Sequence, residues 1–345
     1  MKERKIAVIG AGAIGKTHIQ VLQRCQSAAL AAIVDPSDAA RALAQSAGVP
    51  WFADYVQMLE SGKPDGVIVA TPNATHADVG VTCMELGIPV LIEKPVADTL
   101  EAAARLADAS ARTGVPMLVG HHRRHNPILR RARKILDSGV LGKPVSATVM
   151  GTFLKPDAYF DMAWRRESGG GPVLINMIHD IDVMRFLFGE IATVQAASSN
   201  AIRGFGVEDT AAVVLRFRNG ALGTITVSDT AAAPWNWDLC AGESAHYPQQ
   251  NQNTHFLTGT EASLTLPGLD LWRYREQRGW HDPLTQERTA PHAANPYDEQ
   301  MSHFVAVIDG AAAPLCSAVD GMRTLEATLA VHRAAASGQV ITLNI

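Results

Sequence analysis

Short apolar runs alternate with longer helix candidates through the first third of the chain. The runs are Lys5–Ile9, Leu30–Val34, Gly66–Ala70, Pro89–Ile92 and Met117–Val119, and the helix candidates between them lie near 15–26, 37–46, 76–86 and 99–112. The runs are Val, Ile, Leu and Ala throughout, with little polar alternation. Strands of that kind belong to a parallel sheet covered on both faces, so the pattern predicts a doubly wound α/β domain.

After about residue 120 the pattern changes. Residues 143–153 and 192–229 are rich in Val, Thr and Ala and partly alternate in steps of two. Asn219-Gly220 separates two such runs and predicts a β-hairpin. A further strand group lies near 254–274, and helices are expected at about 297–309 and 318–337. These elements predict an α+β domain with a mainly antiparallel sheet. A length of 345 residues suits two domains. The expected division is 1–122 and 123–345.

Composition narrows the function classes. Apolar residues make up 47% and charged residues 19%, which allows real cores and excludes long disorder. A net charge of −4 gives no electrostatic footprint for nucleic acid or an anionic membrane. No run approaches the roughly 18 apolar residues of a membrane-spanning helix. The opening MKERKIAVIGAG is broken by glycines at once, so it reads as a first strand and not a signal peptide. Cys25, Cys83, Cys240 and Cys316 are far apart and form no CxxC pair, so neither a zinc site nor a disulfide framework is signalled. A cytoplasmic setting is the expectation.

Gly10, Gly12 and Gly15 spell GxGxxG directly after the first strand and at the start of a helix. In that context the motif predicts a Rossmann dinucleotide site. Gly10 makes the tight turn, Gly12 lets the backbone approach the pyrophosphate, and Gly15 allows close helix–strand packing. Ala13 and Ile14 open the helix whose positive end faces the phosphates. Asp35 ends the second strand 20 residues after Gly15, where an acidic residue binds the adenosine ribose and repels a 2′-phosphate. NAD is therefore favoured over NADP. A capping role in Asp35-Pro36-Ser37 is also open to it. Arg41 is read as a surface helix residue. Thr71, Pro72 and Asn73 follow the third strand candidate and read as a loop beside the cofactor, with a plain turn as the alternative. His18 and His76 each sit near a helix start, with cofactor contact or packing open to both.

At Glu93-Lys94-Pro95 the chain resembles the glucose-fructose oxidoreductase / inositol dehydrogenase family, Gfo/Idh/MocA. The matching pieces are Gly10 to His18, Thr71-Pro72-Asn73-Ala74-Thr75-His76, Glu93-Lys94-Pro95, Arg124-His125-Asn126-Pro127, Trp164-Arg165, Gly169-Gly170-Gly171 and His179-Asp180-Ile181-Asp182. They stand in family order over nearly the whole chain. The resemblance implies an N-terminal Rossmann domain and a C-terminal substrate-binding domain. The open sheet of the latter supports homodimers or homotetramers. It also implies NAD-linked oxidation or reduction at a secondary carbon of a sugar, polyol or sugar-like acid, with Glu93, Lys94 and His76 beside the cofactor.

Lys94 follows Val90–Ile92 and so sits at the carboxyl end of a strand, where an ammonium can stabilise charge on a substrate oxygen. The second half of the site is expected on a helix near 173–188. Leu174, Met177, Ile178, Ile181 and Met184 form its buried stripe, while Asn176, His179 and Asp180 share another face. His179 is the expected general acid/base, with a structural histidine as the alternative. Ile175 stands where the family usually has an aspartate, four residues before the histidine. That leaves a Lys94/His179 proton relay, with Asn176 supplying hydrogen bonds only.

The run His121-His122-Arg123-Arg124-His125 suggests an electropositive wall for an acidic substrate, to which Arg165 and Arg166 would add. No carboxylate or cysteine joins it at ligand spacing, so no metal is expected. Tyr159, Trp164, Trp235 and Trp237 are candidate pocket walls, with core packing open to each. Two other activities suit the same scaffold: glycoside cleavage or epimerisation with tightly held NAD, and non-catalytic nucleotide sensing.

Overall fold

A computed structural model describes residues 3–244 and 246–344. From the N-terminus the elements are β1 (Arg4–Ile9), α1 (Ala13–Arg24), β2 (Ala28–Val34), α2 (Asp38–Ala47), β3 (Trp51–Phe52), α3 (Tyr55–Ser61), β4 (Gly66–Val69), α4 (His76–Glu85), β5 (Val90–Ile92), α5 (Leu100–Thr113) and β6 (Met117–Val119). All six strands pair in parallel, in the order β3-β2-β1-β4-β5-β6. The order reverses between β1 and β4, the switch point at which such sheets open a ligand crevice. Strands β4, β5 and β6 are buried at every residue, which is why their sequences are apolar without alternation. Helices begin on side-chain caps: Ser37 accepts from the Ala40 amide, Asp54 from Val56 and Thr99 from Ala102. The five expected strands are present, whereas β3 and α3 carry too few residues to register as periodic.

The chain continues through α6 (Pro127–Asp137), β7 (Pro144–Thr152), α7 (Ile178–Phe188), β8 (Ile191–Ser199), β9 (Thr210–Phe217), β10 (Leu222–Ser228), α8 (Trp237–Cys240), β11 (His255–Gly259), β12 (Ala262–Leu266), β13 (Asp270–Arg273) and β14 (Thr285–Arg288). It ends with α9 (Pro296–Ile308), α10 (Ala318–Ser337) and β15 (Ile341–Thr342). A nine-stranded sheet runs β14-β13-β12-β11-β7-β10-β9-β8-β15, antiparallel except for β7 and β10. The expected hairpin is β9–β10. Asn219 accepts from the Ala221 amide and donates to the Phe188 carbonyl, and Gly220 takes the φ of +92° that the turn requires. One sheet face packs on a core that includes Met177, Ile181, Met184 and Leu187 with Val213, Ile225, Leu257 and Val331.

The chain forms two compact units, but not with a single break near residue 122. The first contains residues up to His125 together with Ala294–Leu325, and the second contains Asn126–Ala293 and residues from Glu326 onward. Residues 294–325 return because the first sheet needs them. The Val119 amide of β6 donates to the Cys316 carbonyl at 2.8 Å, and Phe304 and Ile308 cover Gly66 of β4. Among the described residues no helix is long and apolar enough to cross a membrane.

Candidate active site

The carboxyl ends of β1 and β2 build a cradle from three glycines and a carboxylate. Gly10 turns at φ +94°, and a Cβ there would lie 2.5 Å from the Ala70 carbonyl oxygen. On Gly15 a Cβ would overlap the Gly10 carbonyl. Gly12 differs, because its Cβ would meet no protein atom within 4 Å. Helix α1 starts beside that open space with no side-chain cap and no acidic residue in its first turn. Its first amides and dipole are thus available to an anion. Asp35 spans the cradle's rim. One carboxylate oxygen accepts from the Ala11 amide at 2.9 Å, and the other accepts from the Ser37 amide at 2.9 Å and hydroxyl at 2.6 Å. Burial opposes its charge, but the bonds from Ser37 and Ala11 hold the carboxyl below its ordinary range. Ser37 caps α2 itself, so Asp35 does not serve as that cap. Arg41 is exposed and lies over the Trp51 ring, whose indole N–H donates to the Asp35 carbonyl.

Beyond β4, Thr71, Pro72 and Asn73 lead into a 3-10 turn closed by the Thr75 hydroxyl, which donates to Thr71 Oγ1 and to the Pro72 carbonyl. His76 is buried, with its ring nitrogens 2.9 Å from the Thr71 carbonyl and 3.1 Å from the Pro95 carbonyl. It is a clamp between the loops after β4 and β5. The side chain of Glu93 also turns inward, being 4% exposed. His18 Nε2 lies 2.7 Å from its Oε1, and its Oε2 accepts the Lys94 amide at 3.1 Å. Burial pushes the carboxyl up, yet His18, His122 and Lys94 together hold it below its ordinary range. Lys94 itself is half-buried, at the end of β5.

The expected electropositive wall is replaced by interior structure. His121, Arg123, Arg124 and His125 are all at most 5% exposed. Arg124 donates to the Leu315 carbonyl at 3.0 Å and lies 3.7 Å from Asp320, so its guanidinium anchors the returning segment.

In the second unit the expected helix near 173–188 begins as a π-helical turn, Val173–Met177, before α7. The Ile178 amide donates to the Val173 carbonyl, five residues back. The α-helical spacing therefore fails upstream of Ile178. Leu174, expected in the buried stripe, is only partly buried, whereas Met177, Ile178, Ile181 and Met184 are buried. Such turns concentrate at functional sites. Asn176 lies within the turn and its Oδ1 is buried with no hydrogen-bond partner among the described residues. His179 follows at 8% exposure, and Ile175 is partly buried.

Tyr159, Trp164 and Arg165 come together: the Arg165 guanidinium lies 3.9 Å over the Tyr159 ring and 5.3 Å over Trp164. Sequence reading missed their support, which is a buried Lys155 with its Nζ 4.7 Å over the same tyrosine and 3.4 Å from Asp229. Arg203 donates to Asp229 at 2.9 Å. Burial lowers the Lys155 ammonium's pKa and Asp229 opposes this. No motif marks Lys155, and only the fold joins it to Asp229. Trp235 is 42% exposed, whereas Trp237 is core, its indole N–H donating to Glu243 at 2.7 Å.

A family model described as an oxidoreductase family with an NAD-binding Rossmann fold matches residues 4–121. A second, for the GFO/IDH/MocA C-terminal domain, matches residues 129–265. This chain belongs to the Gfo/Idh/MocA family. Among relatives, scyllo-inositol 2-dehydrogenase (NAD(+)) of Bacillus subtilis is 26% identical over 99% of this chain and 96% of its own length. Inositol 2-dehydrogenase 2 of Saccharopolyspora erythraea is 33% identical over 63% of this chain, and the match spans only 64% of that relative. The WlbA dehydrogenase of Bordetella pertussis, solved with NADH and UDP-GlcNAcA, superposes over the full length of both chains with a TM-score of 0.82 at 24% identity.

The Gfo/Idh/MocA cradle in this chain fits NAD on its own chemistry: open space over Gly12, an uncapped α1 and an ionised carboxylate at Asp35. Among the described residues no group of three His, Cys, Asp or Glu side chains could hold a metal ion. Asp35→Ala is expected to weaken NAD binding about tenfold, the worth of a charge-assisted hydrogen bond, and to narrow the gap to NADP. Fluorescence titration with each cofactor measures both effects.

Proposed function

We propose that this chain is an NAD-dependent dehydrogenase or reductase acting on a secondary alcohol or ketone of a sugar, polyol or sugar-like acid. The observation that carries the reading is the position of Lys94. It follows the end of β5 by two residues, one strand from β4 and two from β1, and β1 feeds the glycine cradle at the same carboxyl edge of one parallel sheet. When bound, NAD supplies the hydride acceptor. Lys94 donates a hydrogen bond to the substrate oxygen and stabilises the charge that develops as the hydride leaves. His179 takes the hydroxyl proton, and returns it in the reverse direction. Asn176 orients substrate by hydrogen bonding, since Ile175 can neither bind a hydroxyl nor move a proton. Thr71, Pro72 and Asn73 border the cofactor, with His76 and Glu93 acting from beneath. Tyr159, Trp164, Arg165 and Trp235 contact the substrate, and the excess of cations around Asp229 suits an acidic substituent. Relatives named as inositol 2-dehydrogenases support the polyol part of that range. The test is to incubate the protein with NAD and a panel of inositols, aldoses and sugar acids. The expected result is one reduced cofactor released per substrate oxidised. Substrate conversion without net cofactor reduction would overturn the reading.

The second unit is proposed to pair with a copy of itself through its open sheet. Val214, Thr224, Thr148 and Phe256 form one cross-strand row on the exposed face, and Val214, Leu222 and Phe256 are each more than 40% exposed. A sheet face that exposes Val214, Leu222 and Phe256 among threonines suits self-association. The double variant Val214→Lys/Phe256→Glu is expected to sediment at half the mass of the native protein.

A further inference from the structure

The His18–Glu93 pair lies in the first unit, and Glu93 directly precedes Lys94. It is expensive to keep. Both side chains are at most 5% exposed, and a buried ion pair is often no more stabilising than apolar residues of similar volume. Its geometry points to a use. Glu93 Oε1 faces His18 Nε2 at 2.7 Å, while Oε2 accepts the amide of Lys94 at 3.1 Å. His18 Nδ1 is buried with no hydrogen-bond partner among the described residues, so Glu93 is the ring's polar anchor. Gly120 packs against the carboxylate so closely that a Cβ there would sit 2.9 Å from Oε1. The carboxylate therefore has little room to swing away.

We propose that His18 and Glu93 are positioning residues for Lys94. Held by His18, the Glu93 carboxylate fixes the Lys94 main chain and keeps a permanent negative charge beside it, so that Lys94 meets the substrate as an ammonium. This rests on the reading of Lys94 as the group that stabilises the substrate oxygen. Other titratable groups face the pair. His122 acts on Glu93 through its charge, Glu93 favours the charged form of His76 of α4 although burial outweighs it, and Tyr297 of α9 meets His18 edge-on and stacks on His122. Glu93 is the acidic side chain in this set. It stays ionised in spite of burial, as its lowered carboxyl pKa indicates. By reciprocity, the same interaction favours the charged form of Lys94.

The experiment reads the amine directly. The full-length protein is treated with trace acetic anhydride over a pH series, and acetylation of Lys94 is quantified by mass spectrometry. In Glu93→Gln, which keeps an acceptor for the Lys94 amide but removes the charge, the Lys94 titration midpoint is expected to fall by about one pH unit. His18→Phe should lower it in the same direction, and His18→Gln, which retains a donor to Glu93, should restore most of it. The alkaline limb of kcat/KM should fall with the labelling midpoint. An unmoved midpoint in Glu93→Gln with NAD binding intact would overturn the proposal. If Glu93→Gln does not fold, the contrast between His18→Phe and His18→Gln decides it in the same way. A Lys94→Met protein that retained turnover would instead overturn the catalytic reading of Lys94, and the labelling shift would distinguish that failure from this one.

Discussion

Lys94→Met is expected to lower turnover by about a thousandfold and to leave NAD affinity essentially unchanged, since on the proposed role the lost interaction is made to the substrate oxygen as charge develops there. The magnitude follows from removing one preorganised charged donor, and Met preserves the length and packing of the stem. His179→Asn is expected to cost about a hundredfold or more, since the proposed general acid/base is replaced by a group that moves no proton. The double variant should fall only slightly below the weaker single one if the two residues act on one proton transfer. Steady-state rates with tight-binding controls for NAD measure all three. A Lys94→Met protein with near-native turnover would remove Lys94 from the chemistry.

Gly15→Ala should destroy cofactor binding and destabilise the first unit together, whereas Gly12→Ala should do only the former. The added methyl on Gly15 overlaps the Gly10 carbonyl oxygen, part of a backbone already pressed against Ala70. Neither can move without the other, so overpacking there costs about 1–3 kcal/mol. The methyl on Gly12 meets no protein atom within 4 Å, so the apo fold tolerates it. What it fills is the space through which a pyrophosphate approaches the backbone. Thermal unfolding without cofactor, paired with NAD titration, separates the two. Equal destabilisation by both variants would mean that the open space over Gly12 is not a ligand cradle.

Much of the fold was legible because its signals are local. The buried parallel strands are uniformly apolar, GxGxxG has a fixed relation to β1 and α1, and Asn219-Gly220 is a turn that few other dipeptides make. The parts that stayed hidden depend on distant partners. Arg124 reads as a surface charge until the Leu315 carbonyl, 191 residues away, is brought to it. The return of residues 294–325 depends on a bond from Val119 to Cys316 that no periodicity announces. The π-helical turn at Val173–Met177 has the same composition as an α-helix, and only its backbone bonding distinguishes it. Glu93 and His18 were visible as motif residues, but the inward turn of the carboxylate was not.

The most direct test of the whole account follows the hydride itself. The protein is incubated with NAD and carbon-deuterated members of the inositol, aldose and sugar-acid classes, and the cofactor is recovered and weighed by mass spectrometry. Reduced cofactor carrying one deuterium is expected from a single substrate class, and none with Lys94→Met. Cofactor that binds yet returns oxidised and unlabelled from every class would contradict it.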